Sequence, residues 1–160
     1  MRRLVIETIK ADPAFEGGDY TRQPLSLKYA NAFFSVATSG GTQGWQARAG
    51  THAEADRAVD QMLAGAPGGD ANDVIYQFDA ARDYDPAPGL ERIKARVLAV
   101  NSADDERNPA ETGVMERQMA RLARGSFYLI AASEKTRGHG TTGQAALWKA
   151  RLAAWLSQLG

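Results

Sequence analysis

Three acidic residues in succession, Asp104, Asp105 and Glu106, follow the apolar run Val97-Leu-Ala-Val100, and one histidine, His139, stands between Gly138 and Gly140. An imidazole exchanges a proton near neutrality, which suits a general base. A neighbouring carboxylate can accept the ring N–H, select the tautomer and stabilise the imidazolium. Asp105 is the first candidate for that acid and Asp104 the second. The plain alternative is an acidic loop with helix-terminal charges, Glu106 and Glu111 among them. His52, the other histidine, lies at a predicted helix start and reads as a surface residue.

Acyl-transfer chemistry of this kind also needs a nucleophile, and the chain does not announce one. The serines stand at positions 26, 35, 39, 102, 126, 133 and 157, and none lies in a Gly-x-Ser-x-Gly turn. Ser39 is the remaining candidate because Gly40 and Gly41 follow it, and two glycine amides can form an oxyanion nest. The same three residues also read as an ordinary helix C-terminus. Ser102 would compete with Asp105 for one strand end. No metal-ligand spacing, phosphate-cradling loop or aromatic-basic stripe stands out, and no cofactor is implied.

The elements that must position these groups divide at about residue 90. Residues 96–101 and 127–131 are short β-branched and aliphatic runs suited to buried parallel strands. Between them Pro109-Ala-Glu111 opens a helix carrying Val114, Met115, Met119 and Leu122 that ends at Gly125. Thr141 or Thr142 is expected to cap a last helix with Ala146, Leu147, Ala150 and Trp155 on its apolar face. This is β-α-β-α, with right-handed crossovers and parallel strands. Its loops at the carboxyl ends of the strands carry Asp105 and His139, where ligands and reacting groups gather in such sheets.

Before residue 90 the chain reads as helices. Apolar Leu4, Val5, Ile6 and Ile9 lead to a stop at Asp12-Pro13. Residues 15–20 form a glycine-containing loop, and a broad-faced helix spans 24–38. Thr51 with Glu54 makes a capping box for the next helix. A final helix is expected over 72–84, before Asp85-Pro-Ala-Pro-Gly89. Phe33, Phe34 and Trp45 read as core. The fold class is therefore α/β, with a helical segment over 1–89 and a β-α-β-α unit over 90–160.

Composition bounds the partners. In 160 residues, Lys plus Arg and Asp plus Glu number 19 each, so no net charge favours nucleic acid or an anionic membrane. There is no cysteine, which removes thiolate catalysis and disulfides. No apolar run is long enough for a membrane span, and Met1-Arg-Arg-Leu has no cleavage pattern behind it. Two strands alone leave both sheet edges open, so further strands or a partner surface are expected.

Taken together, Asp12-Pro13, Gly17-Gly-Asp-Tyr20, Pro24, Phe78-Asp-Ala-Ala-Arg-Asp-Tyr84, Leu98-Ala-Val-Asn-Ser-Ala-Asp-Asp105, Asn108-Pro109 and Arg137-Gly-His139 resemble the homoserine O-acetyltransferase branch of the α/β-hydrolase superfamily. The resemblance runs over nearly the whole chain but covers only the C-terminal part of that family. It implies a partial α/β-hydrolase fold with a helical lid. Asp105, four residues before Pro109, matches the triad acid, and His139 matches the base. It also implies that the serine belongs upstream and that Met1 resembles an internal methionine. The acetyltransferases place an acidic residue after the histidine, where Gly140 stands here, so an esterase or O-acyltransferase acting on a small acyl ester or acyl donor is the expected class. The alternative is a catalytically silent module acting in self-association or in pairing with an N-terminal α/β-hydrolase half.

Overall fold

The computed structural model describes residues 1–159, which pack as two compact units. The first comprises Met1–Ala37 and Ala49–Tyr84, the second Thr38–Arg48 and Asp85–Gly160. The stretch at 38–48 thus packs with the strands rather than with the helices that flank it in sequence.

The first unit is helical. It contains α1 (Arg2–Lys10), α2 (Leu25–Thr38, to residue 37), α4 (His52–Ala64) and α5 (Ala71–Asp79); α3 (Thr42–Arg48) belongs to the second unit. Its core is Val5, Ile6, Ile9, Phe15, Leu27, Ala30, Ala71 and Ile75. The spacing of Val5, Ile6 and Ile9 puts all three on one face of α1, which packs on α5. The expected capping box is present: Glu54 N–H donates to the Thr51 hydroxyl, and the Glu54 carboxylate accepts from Thr51 N–H at 3.0 Å. Asp70 caps α5 through Asn72 N–H and is itself held by the Tyr20 hydroxyl at 2.7 Å. That helix stops at Asp79 rather than near Tyr84, and the Arg82 amide and guanidinium both bond back to Asp79 in the turn that follows. Residues 13–18, which overlap the loop expected over 15–20, form a 3-10 turn that the Asp12 carboxylate caps. Phe34 packs against Phe78 with the rings tilted by 50°, whereas Phe33 is exposed rather than core.

The second unit holds the only sheet among the described residues, β1 (Val97–Ser102) parallel to β2 (Gly125–Ile130), in register from Val97 opposite Gly125 to Ser102 opposite Ile130. Between them, α6 (Val114–Met119) starts later than Pro109 suggests. Gly113 takes φ of +60° and separates it from a 3-10 turn at Ala110–Thr112. The last helix, α7 (Lys149–Leu156), begins after two further 3-10 turns, with Trp148 at its cap position. Neither expected threonine caps it. Thr141 accepts from Arg137 N–H at 2.8 Å and Thr142 donates to the His139 carbonyl, so both bond backwards into the histidine loop. No helix is long and apolar enough to cross a membrane among the described residues.

The burial of this unit is unusual in kind. Its strands are mostly half-buried, while Thr38, Asn101, Ser102, Asp105, Thr136 and Thr141 are buried. Buried polar groups persist only when hydrogen-bonded. Here their bonds converge on the loops at the strand ends.

Candidate active site

Because β1 and β2 are parallel, their carboxyl ends lie side by side. Ala103 N–H extends the pairing by donating to the Ile130 carbonyl at 2.8 Å, and the chain then turns, with Asp105 N–H bonded to the Ser102 carbonyl. This turn presents Asp104, Asp105 and Glu106 to the loop that follows β2.

The Asp105 side chain is 1% exposed. Its Oδ2 lies 3.0 Å and its Oδ1 3.2 Å from His139 Nδ1. Oδ1 also accepts from the amides of Arg107 at 2.8 Å and Asn108 at 3.2 Å, and Oδ2 from the Asn108 side chain at 3.2 Å. Burial pushes the Asp105 carboxyl up. The hydrogen bonds from His139, the Arg107 amide and Asn108, with the imidazolium charge, outweigh it and hold the group below the ordinary carboxylate range. An ionised, fully donor-satisfied carboxylate is the result.

That carboxylate decides the tautomer of His139. A proton on Nδ1 donates to Asp105 and leaves the Nε2 lone pair free to accept. The side chain of His139 is 33% exposed, and Nε2 has no hydrogen-bond partner among the described residues. The loop behind it is tightly tied: Gly140 N–H bonds to the Arg137 carbonyl, Thr141 N–H to the Gly138 carbonyl, and Ser133 N–H to the buried Thr136 hydroxyl.

The other sequence candidates fall around this pair without entering it. Asp104 meets the backbone and threonine of the histidine loop, not the imidazole. Ser102 is buried and donates to Asp104. The Ser39 hydroxyl accepts from Arg107 Nη2 at 2.9 Å and makes no hydrogen bond to His139. The Gly41 amide donates to Glu106 at 2.8 Å. His52 is exposed. Arg107 and Thr136 are partners that the sequence reading did not single out, and Glu106, Asn108 and Thr141 were noted there in other roles. Only Asn108 carried a signal, an Asp-x-x-Asn spacing that lets a side chain close back on the carboxylate. No group of three or more histidine, aspartate or glutamate side chains could hold a metal ion among the described residues.

Comparison with solved structures places the fold. The homoserine O-acetyltransferase from Bacillus anthracis superposes with a TM-score of 0.72 over 94% of this chain and 46% of its own, at 18% identity. The acetyl esterase MekB gives 0.69 over 99% of this chain and 49% of its own, at 20% identity. An acetylester hydrolase from Corynebacterium glutamicum gives 0.59 over 92% and 44%, at 18%. The chain has a partial α/β-hydrolase fold. It spans about half the length of these three proteins. No family model and no curated protein matches it in sequence. Asp105 and His139 stand on the loops after β1 and β2, Asp105 first in chain order.

Proposed function

We propose that this chain is an acyl-transfer unit of the α/β-hydrolase type, with Asp105 and His139 as its acid and base. The observation that carries the proposal is the buried, donor-satisfied Asp105 carboxylate 3.0 Å from His139 Nδ1, with Nε2 left to accept a proton. His139 Nε2 removes the proton of an attacking hydroxyl as its oxygen adds to the acyl carbon. The imidazolium, held by Asp105, then returns that proton to the leaving alkoxide. The substrate is a short-chain ester or acyl donor, with water or an alcohol as acceptor. The acetyl chemistry named for all three structural neighbours supports the small acyl group. The attacking hydroxyl is that of Ser39, of a serine on a companion α/β-hydrolase segment, or of the acceptor itself.

Hydrolysis of p-nitrophenyl acetate by the chain and its variants tests this. His139→Ala should lower turnover by about 100-fold or more, and Asp105→Asn should lower it too. A Ser39→Ala loss as large as that of His139→Ala would make Ser39 the nucleophile. Hydrolysis indifferent to His139→Ala would overturn the enzymatic reading. A silent association module is the second reading, favoured by one feature: among the described residues β1 and β2 pair only with each other, so each has an open edge.

A further inference from the structure

The acid loop spends three carboxylates on the histidine loop and only one of them on the imidazole. Glu106 bridges two segments. Its Oε1 accepts from Gly41 N–H at 2.8 Å and its Oε2 from His139 N–H at 3.3 Å. Asp104 Oδ2 accepts from the Thr136 hydroxyl at 2.7 Å and from Gly138 N–H at 3.3 Å, while Oδ1 takes the Ser102 hydroxyl. The backbone is shaped to admit both side chains. Gly138 has φ of +52°, and a Cβ there would stand 2.0 Å from Glu106 Oε2. Gly41 has φ of +65°, and a Cβ there would stand 2.3 Å from Asp104 Oδ2.

Each of the three successive carboxylates accepts hydrogen bonds from its own set of donors. A loop that merely had to be polar would not require this. What the two flanking acids gain is a grip on consecutive amides, those of Gly138 and His139, which set the direction in which the imidazole leaves the backbone. Glu106 also ties the Ser39-Gly-Gly41 turn to the same point, and Arg107 reinforces the tie by donating to the Thr38 and Ser39 hydroxyls.

We propose that Asp104 and Glu106 are positioning residues for His139: they clamp the backbone of its loop so that Nδ1 meets Asp105 and Nε2 faces away. This rests on the Asp105–His139 pair proposed above. Neither residue touches the reacting atoms. A tightly held imidazole matters because a shift of about 1 Å in a catalytic group can cost 100-fold in rate.

The test is the Nδ1 proton of His139 in the nitrogen-15-labelled chain, observed by NMR at low temperature. With two histidines and His52 exposed, the resonance is assigned by its loss in Asp105→Asn and His139→Ala. Glutamine at 106 keeps the size of glutamate but turns an NH2 group toward one of two N–H donors. Glu106→Gln should therefore speed solvent exchange of the Nδ1 proton, and of the Gly41 and His139 amides, by about tenfold or more. Asp104→Asn should do the same for the Nδ1 proton and the Gly138 amide. If Asp104→Asn does not fold, Glu106→Gln, at an exposed position, decides alone. A wild-type proton whose exchange neither variant changes would overturn the positioning role and leave the pair standing. A wild-type spectrum with no proton that Asp105→Asn removes would overturn the pair, and this inference with it.

Discussion

At Asp105 two large effects oppose each other, and the balance is measurable. Removing a carboxylate from water costs several kcal/mol, and each charge-assisted hydrogen bond returns roughly 1.5–3 kcal/mol. Donors from His139, Arg107 and Asn108 win, since the group sits below its ordinary value of 3.8 despite burial. The folded chain therefore binds fewer protons at this site than the unfolded chain does in the acid range. The stabilisation is complete above the ordinary value and disappears as pH falls through the lowered one. Asp105→Asn should destabilise the chain near neutral pH by about 1–3 kcal/mol, because a neutral amide replaces the charged acceptor. Its unfolding free energy should also fall less steeply with acid than that of the wild type. Urea unfolding from pH 7 down to pH 2 checks both, and parallel acid slopes would refute the lowered value.

At the scale of elements, the histidine loop follows from its glycines. Gly138 occupies a left-handed conformation against the Glu106 carboxylate, so an added methyl meets strain and a clash together. Gly138→Ala should destabilise the protein by about 1–3 kcal/mol and disturb the His139 ring resonances, whereas an unchanged unfolding midpoint would show that the loop yields. The sequence made Gly138 and Gly140 visible, but not which of them needs a positive φ. Legibility divides along the same line elsewhere. The capping box at Thr51 and the two aliphatic strands rest on neighbouring residues, and they were legible. The 3-10 turns around Ala110–Thr112 and Gly140–Leu147 were not, because Thr141 and Thr142 are used by residues before them rather than after. Asp105 could be ranked above Asp104 only through the resemblance. Glu106 and Thr136 join the site through contacts between loops more than 25 residues apart, which no local spacing displays.

At the scale of the molecule, the open edge of β1 has a direction that can be worked out. Val97 N–H donates to the Arg124 carbonyl and Ala103 N–H to the Ile130 carbonyl, both across to β2 or its flanks. Backbone amides alternate along a strand, so Ala99 and Asn101 also face β2 while Leu98, Val100 and Ser102 direct theirs to the unpaired side. Their side chains border an apolar cavity of about 310 Å³ with Ile130, Trp148 and Leu152. An unpaired edge beside apolar side chains is a template for another strand, and lysine is a common natural device against it. The wild-type chain should therefore associate, showing a mass by light scattering that rises with concentration. Leu98→Lys should shift it toward the monomer, since the half-buried stem can lie along the cavity while the ammonium reaches water. The His139–Asp105 pair, built on loops beyond the strand, should survive in that variant and keep its Nδ1 proton. A wild-type chain that stays monomeric over about a hundredfold range of concentration would exclude the edge as an interface. Association unaffected by Leu98→Lys would move it elsewhere, the exposed Leu4, Tyr29 and Phe33 of the helical unit being the next surface to alter.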